Sequence, residues 1–125
     1  MSYEELIQSI CDHALKILGQ GTLRFRPMRR KTRVDPKRGF VIGRTNLKTG
    51  LITIDILTPA KREPKKIASV LRTLCHEVAH HQKPPYRQFY RWRWIMRQHY
   101  PKFYKQILKN IEKLKKDEIL KNYFN

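Results

Sequence analysis

The chain has 125 residues, which suits one domain and leaves little room for a second. Its 28 lysines and arginines against 10 aspartates and glutamates give a net charge of +18, which attracts polyanions such as nucleic acid unless it only solubilises the surface. No apolar run approaches the ~20 residues of a membrane span, and the two cysteines, Cys11 and Cys75, have no metal-knuckle spacing. We therefore expect a single domain over 1–125 that is cytoplasmic, with no membrane partner and with an oligomeric state that the sequence leaves open.

The first element is an amphipathic helix. Ser2 and Glu5 have the spacing of a capping box, and an apolar stripe at helical spacing follows. Gly19 and Gly21 end the stripe. His13 lies off the stripe, so we expect it at the surface.

Residues 22–57 change from a helical to an extended period. Alternating patterns at Leu23–Arg26 and Phe40–Arg44 predict two strands, and Leu51–Ile56 is the clearest strand of the chain. Turn chemistry at Asp35–Gly39 and a hairpin connection at Thr45–Gly50 separate them. Three strands with short connections predict an antiparallel meander.

The second half of the chain predicts two more helices around a basic, aromatic segment. Pro64 suits the first turn of a helix that runs to about His81, and the last helix begins near Pro101. Between them, residues 86–97 interleave aromatic side chains with arginines. Such a segment can clamp single-stranded nucleic acid, but aromatics near helical spacing are more often core, and we expect about half of them to be buried.

The residues His76-Glu77-Val78-Ala79-His80 form the strongest chemical signal. Histidines four residues apart project from one face of a helix, which is the geometry that two ligands of one tetrahedral Zn²⁺ need. Glu77 lies beside them, where a carboxylate can take a proton from water that the metal has made more acidic. The alternative is a helix with surface histidines. The pattern predicts a catalytic zinc site with Glu77 as the general base.

A catalytic zinc site normally has a third protein ligand. His81 would point away from the metal on a continuous helix. His99 is far enough along the chain for the backbone to reverse, and it is in register with Phe103 at a four-residue step. We favour His99, with Glu112 on the last helix as the alternative.

These residues resemble the zincin metallopeptidases and, within them, the SprT-like group. The matching positions are His76, Glu77, His80 and the segment 98–103, although Tyr100 stands where that group usually has Gly. The resemblance implies an α+β zincin-like fold, with a small antiparallel sheet, about three helices and an active-site helix that carries the motif. Members of the group act on proteins crosslinked to DNA, which suits the net charge of +18.

The chain also resembles the minigluzincins, compact peptidase domains of similar length. Their third ligand is a Glu, which would correspond to Glu112. Several look like latent zymogens that a terminal segment blocks, and residues 113–125 are the candidate segment here.

In zincins the strand above the motif helix pairs with an extended substrate. The resemblance therefore implies that Thr53, Ile54 and Asp55, in the strand Leu51–Ile56, bind substrate, although an ordinary interior strand is the alternative. A tyrosine of the 86–100 segment, or a nearby Arg, can stabilise the oxyanion, and the sequence does not choose between them.

The function that we expect is zinc-dependent endopeptidase activity on protein or peptide substrates, with DNA-associated proteins as a candidate class. Two alternatives belong to other classes. One is a basic nucleic-acid-binding domain with a structural zinc, and the other is a metal-dependent hydrolase of RNA. A Glu directly after the first motif His favours amide hydrolysis over the last of these.

Overall fold

The computed structural model describes residues 2–28 and 42–124. Within these residues the chain forms three α-helices, five strands and one 3-10 helix, in the following order: α1 Tyr3–Ile17, β1 Arg24–Pro27, β2 Gly43–Thr45, β3 Leu51–Ile54, α2 Ile67–Gln82, β4 Tyr86–Tyr90, β5 Arg93–Arg97, α3 Pro101–Lys115 and the 3-10 helix Leu120–Tyr123. The expected α+β class, with three helices and small sheets, is confirmed. In the described ranges, no helix has both the length and the apolar character needed to cross a membrane.

Helix α1 begins and ends as its sequence predicts. The Ser2 side chain accepts a hydrogen bond from the Glu5 backbone N–H, which satisfies one of the unpaired donors of the first turn. At the other end, Gly19 adopts a φ of 72°, a left-handed conformation that costs glycine little. The helix buries an apolar stripe that includes Ile7 and Cys11 against the sheet and the other helices.

The three-stranded sheet has the order β1-β3-β2, and the predicted meander is wrong in one strand. β2 pairs with β3 in antiparallel fashion, as expected for a hairpin, but β1 pairs with β3 in parallel. Strand β3 carries the buried side chains Ile52 and Ile54. A central position, with a neighbouring strand on each edge, buries more of this apolar surface than an edge position would. The predicted turn at 35–39, and Phe40 and Val41 of the predicted second strand, lie outside the described residues.

Helix α2 begins three residues later than predicted. Pro64 forms an isolated antiparallel bridge with Leu57, and the Lys65 N–H donates to the Ile56 carbonyl, so this stretch stays extended. The helix starts at Ile67 and ends at Gln82, close to the predicted end at His81. Its inner face is apolar, with the following buried side chains: Val70, Leu71, Leu74, Cys75 and Val78.

The aromatic, basic segment forms a two-stranded antiparallel hairpin, β4–β5. The expectation that about half of its aromatics are core is wrong. Every aromatic side chain of the hairpin is exposed: Tyr86, Phe89, Tyr90, Trp92 and Trp94. The period of this segment is that of a strand, so its side chains alternate between two open faces instead of lining one face of a helix.

Helix α3 and the residues after it complete the core. Phe103, Ile111 and Leu114 point inward from α3, and the 3-10 helix adds Leu120 to the same core. Phe124 packs against the core under the guanidinium of Arg72, 5.6 Å from its ring centroid. Residues 116–124 are therefore a packed end of the domain, and a latency role for this segment stays a prediction.

Candidate metal centre

Helix α2 carries the first two histidines of the site. His76 and His80 lie one turn apart on the same side of the helix, and their ring centroids are 5.0 Å apart. Both side chains are half-buried, because the opposite side of the helix is held in the core by residues such as Leu74 and Val78. Packing of the inner face therefore fixes the direction in which the two imidazoles point.

The His99 ring lies close to both of these rings. It lies in the short connection between β5 and α3, and its ring centroid is 5.3 Å from that of His76 and 5.1 Å from that of His80. One nitrogen atom from each of the three rings lies within 4.8 Å of the others. Three imidazole nitrogens gathered in this way suit a tetrahedral Zn²⁺ with Zn–N distances of ~2.0–2.1 Å, which leaves a fourth position open. The residues present therefore fit a metal ion.

Phe103 supports all three rings from below. It is fully buried, and its ring centroid lies 5.1 Å from His76, 4.5 Å from His80 and 5.1 Å from His99. Sequence reasoning used Phe103 only as a register mark for His99. Its four-residue step from His99 is the signal that could have identified it as the packing partner of the cluster.

The environment keeps the two motif histidines neutral. Burial lowers the pKa of His80 to about 4, with further contributions from His76, His99 and His81. Burial and the neighbouring His99 likewise lower the pKa of His76. A neutral imidazole has a free nitrogen lone pair, so both side chains are ready to bind a metal near neutral pH.

Glu77 lies beside the histidines and, like them, lines a cleft at the surface. Its side chain is only 6% exposed, and burial raises the pKa of its carboxyl to about 7. Strand β2 crosses close above it: a Cβ placed on Gly43 would lie 3.3 Å from Glu77 Oε1. A larger residue at position 43 would crowd the carboxylate, so the glycine is required by the close approach of strand and helix.

The cleft has a volume of about 390 Å³ and is lined by β2, α2 and the two ends of the hairpin segment. Among the lining residues are Gly43, Arg44, Thr45, His76, Glu77, His80, Gln98 and His99. Thr45 Oγ1 and His81 Nε2 form a hydrogen bond that joins β2 to the last turn of α2. The candidate metal ligands and strand β2 therefore line the same cleft.

The expected substrate-binding residues Thr53, Ile54 and Asp55 are not at this cleft. Strand β3 has β1 on one edge and β2 on the other, so its backbone groups are already paired. Ile54 and Asp55 are also fully buried. Sequence alone does not reveal which strand is central. The position of β3 favours the alternative of an interior strand, and substrate binding by these three residues stays a prediction.

The remaining candidates also have clear positions. Glu112 is exposed on α3, 3.7 Å from Lys115, and is outside the histidine cluster. His81 bonds to Thr45 and, as expected, is also outside the cluster. The Tyr100 hydroxyl donates to the Pro84 carbonyl, so it is committed to closing the base of the hairpin. Arg44, Thr45 and Gln98 are the polar side chains that line the cleft besides the histidines and Glu77.

A buried amide joins helices α2 and α3. Asn110 of α3 donates from Nδ2 to the Cys75 carbonyl at 3.2 Å and to Gln82 Oε1 at 2.8 Å, and its Oδ1 accepts from Gln106 at 3.0 Å. The bonds to Cys75 and Gln82 join α3 to residues on either side of the motif in α2, so these two bonds fix how α3 packs against α2. Sequence reasoning missed this residue, although a polar side chain within the apolar stripe of α3 is a usable signal.

The chain matches no known family model and no curated protein. Among solved structures it is similar to the metallopeptidase zymogen of Pyrococcus abyssi abylysin, with 21% sequence identity and a TM-score of 0.48. The similarity covers 94% of this chain and 87% of that chain.

Proposed function

We propose that this protein is a zinc-dependent endopeptidase with His76, His80 and His99 as its metal ligands and Glu77 as its general base. The observation that carries the proposal is the gathering of three imidazoles within 4.8 Å of one another, beside a buried carboxylate and at an open cleft. A structural zinc site normally has four protein ligands, whereas a catalytic site keeps one position free. Three ligands from the part of the chain that the structure describes, gathered at a cleft, therefore favour catalysis.

The residues divide the work as follows. Zinc, when bound by three nitrogen ligands, supplies a Lewis acid that acidifies water and polarises a carbonyl oxygen. Glu77 accepts the proton of the attacking water and then delivers it to the nitrogen of the leaving amine. Phe103 and Asn110 act as positioning residues, because the first packs beneath the imidazoles and the second joins α3 to α2.

The edge of β2 is the best candidate for holding the substrate backbone. Asp55 N–H donates to the Ile42 carbonyl and Asn46 N–H donates to the Leu51 carbonyl, so residues 42, 44 and 46 point their backbone groups toward β3. The backbone groups of Gly43 and Thr45 then point to the other edge, which pairs with no strand in the described ranges. An extended peptide can add there as a further strand, directly beside Glu77 and the histidines.

The proposed ligand set favours one of the two resemblances. A third histidine is the pattern of the SprT-like group, whereas the minigluzincins use a Glu, and Glu112 is exposed and apart from the cluster. We extend the proposal to DNA-associated protein substrates, because a net charge of +18 raises the local concentration of nucleic acid and whatever is attached to it.

The decisive experiment compares Glu77→Gln with wild type for zinc content and for hydrolysis of an unfolded protein such as casein. We expect Glu77→Gln to keep about one zinc per chain and to lose hydrolysis by roughly 100-fold or more, because removal of a general base removes a contribution of that order. Glu112→Gln is the matched control, since it makes the same change at an exposed site, and we expect it to leave both measurements unchanged. Full hydrolysis by Glu77→Gln would sink the proposed mechanism.

A nucleic-acid-binding domain with a structural zinc is the second candidate, and the exposed basic hairpin favours it. It predicts that wild-type protein binds zinc and nucleic acid but hydrolyses no peptide under zinc-replete conditions. The same assay therefore separates the two functions.

A further inference from the structure

The hairpin β4–β5 is an unusual surface for a small domain. Trp92 is 91% exposed and Trp94 is 62% exposed, although large aromatic side chains are normally at least partly buried. The hairpin strands pair mainly with each other and project from the body of the domain. Between Glu77 and Glu112 the sequence contains four lysines and four arginines but no aspartate or glutamate. We propose that this hairpin binds single-stranded nucleic acid by stacking bases on its aromatic rings and contacting phosphates with its arginines.

The rings form a continuous row on one side of the hairpin. Phe89 lies directly opposite Trp94 in the strand register, with their ring centroids 5.4 Å apart, and Trp92 extends the row at 6.3 Å from Phe89. The Arg87 guanidinium covers the other end, 5.2 Å from the Trp94 centroid. We call this set, Arg87, Phe89, Trp92 and Trp94, the aromatic row. The Phe89 and Trp92 rings meet edge to face, at 86°, and the Phe89 and Trp94 rings are tilted by 53°. Exposed aromatic rings beside guanidiniums are the elements from which single-strand binding surfaces are built.

The opposite side of the hairpin pairs tyrosines with arginines. Tyr86 is opposite Arg97 and Tyr90 is opposite Arg93, and the Arg91 and Arg97 guanidiniums lie 5.1 and 5.6 Å from the Tyr90 ring. Cations are therefore present on both sides of a ribbon that is only two strands wide. The unpaired bases of a single strand can stack on the exposed rings, whereas the bases of a duplex are already paired and stacked on each other.

The two residues at the tip of the hairpin have a strained backbone conformation. Arg91 and Trp92 have φ angles of 48° and 66°, a left-handed pair that two-residue hairpin turns usually fill with Asn and Gly. Bulky residues persist in this conformation at a cost in stability, and such outliers are common where side chains serve a function. Here the turn holds a tryptophan and an arginine at the outermost point of the hairpin.

The hairpin is also next to the candidate metal centre. Its base is closed by packing of Tyr86 on Tyr100, with centroids 4.9 Å apart, and Pro85 and Gln98 at its two ends line the metal cleft. A protein carried on a bound strand would therefore reach the cleft without dissociating. The idea that the bound nucleic acid carries the peptidase substrate rests on the proposed function. Binding of nucleic acid by the hairpin requires no hydrolysis.

Intrinsic fluorescence tests the inference directly, because Trp92 and Trp94 are the two tryptophans of the chain. We expect an oligothymidylate of about 15 nucleotides to quench their emission saturably, and to bind roughly ten-fold or more tightly than a duplex of the same length. Vesicles containing phosphatidylserine are the competing probe. A blue shift with vesicles, with no quenching by the oligonucleotide, would identify a membrane surface and overturn the inference.

Variants then separate stacking from charge, with anisotropy of a labelled oligonucleotide as the readout. We expect Trp94→Ala and Phe89→Ala each to weaken binding by roughly ten-fold, and Trp94→Phe to keep most of it. Leu108→Ala, which removes an exposed apolar side chain from α3, is the control. Wild-type affinity in both Trp94→Ala and Phe89→Ala would refute stacking. Zinc content and circular dichroism show that each variant is folded.

The arginine contacts have their own test. Arg93→Gln should lower the slope of log affinity against log salt by about 0.7, the value for one lost phosphate contact on a single strand. Lys116→Gln removes the same charge outside the hairpin and should leave the slope unchanged. Equal effects of the two substitutions would mean that only overall charge matters. Glu77→Gln should bind the oligonucleotide like wild type, so a failed peptidase assay and a failed binding assay remain distinguishable.

Discussion

A substitution of Asp55 is the sharpest test of the role that the structure gives this residue. The resemblance to zincins implied that this residue binds substrate, but the structure places it in the core as an internal anchor. Both carboxylate oxygens accept from Arg62, Oδ2 at 2.9 Å and Oδ1 at 3.0 Å, and Oδ1 also accepts from the Leu57 N–H at 3.2 Å. The Asp55 side chain is fully buried and that of Arg62 is only 11% exposed. We therefore expect Asp55→Asn to reduce stability and not substrate affinity.

The size of the effect follows from burial. Removal of one partner from a buried ion pair costs about 3–5 kcal/mol, because the other charge is left in a medium that solvates it poorly. A single domain has a total free energy of unfolding of only about 5–15 kcal/mol. The loss should therefore lower the melting temperature by about 10 °C or more.

The pH dependence of stability has a definite sign. Burial by itself would raise the pKa of the Asp55 carboxyl, but the hydrogen bonds from Arg62 and Leu57 and the charges of Arg62 and Lys65 outweigh it and hold the pKa below its ordinary value. A carboxyl whose pKa is lower in the folded state binds fewer protons there than in the unfolded chain. Its stabilising contribution is complete above the unfolded value of about 3.9 and is lost as the pH falls through the folded value. Asp55→Asn should lack this acid-sensitive component.

The assay is urea unfolding followed by circular dichroism, together with KM for a peptide substrate. Glu118→Gln is the control, because Glu118 pairs with Lys121 at 2.8 Å, as close as the buried pair, but at an exposed site. An exposed pair is solvated in both states, so its loss should leave the free energy of unfolding nearly unchanged. Unaltered stability in Asp55→Asn with a raised KM would refute the structural reasoning and restore Asp55 as a substrate-binding residue.

Three further outcomes are expected. His99→Ala should lose bound zinc in an atomic-absorption measurement while Glu112→Ala keeps it, because only His99 belongs to the cluster; the reverse result would move the chain toward the glutamate-ligand pattern. Gly43→Ala should lower the free energy of unfolding by about 1–3 kcal/mol in urea, because its Cβ would lie 2.9 Å from Thr73 Cγ2; no change would mean that strand and helix are further apart. Ser2→Ala should cost about 1 kcal/mol by thermal unfolding, since it removes the helix cap, and an unaffected melting temperature would show that the first turn frays in solution.

Local patterns were predictable where the physics is local. The Ser2 cap, the end of α1 near Gly19, the β2–β3 hairpin and the end of α2 depend on residues within a few positions of each other. The start of α2 was wrong by three residues because Pro64 forms a bridge with Leu57, a contact that no local pattern reveals. The hairpin was missed because the spacing of its aromatic side chains is close to that of a helix, whereas the pairing of the two strands depends on a tight turn at Arg91 and Trp92.

The side-chain chemistry of the candidate metal site follows from the sequence, since spacing within one helix turn places His76 and His80 on the same side and Glu77 beside them. Tertiary structure decided the rest. A parallel pairing between segments distant in the chain makes β3 the central strand. As a result β2, and not β3, has an edge that pairs with no strand among residues 2–28 and 42–124. The choice of His99 over Glu112 depends on how α3 packs on α2, through Phe103 and Asn110. A sequence records side-chain period and chemistry directly, but long-range pairing arises only from the packing of a whole core.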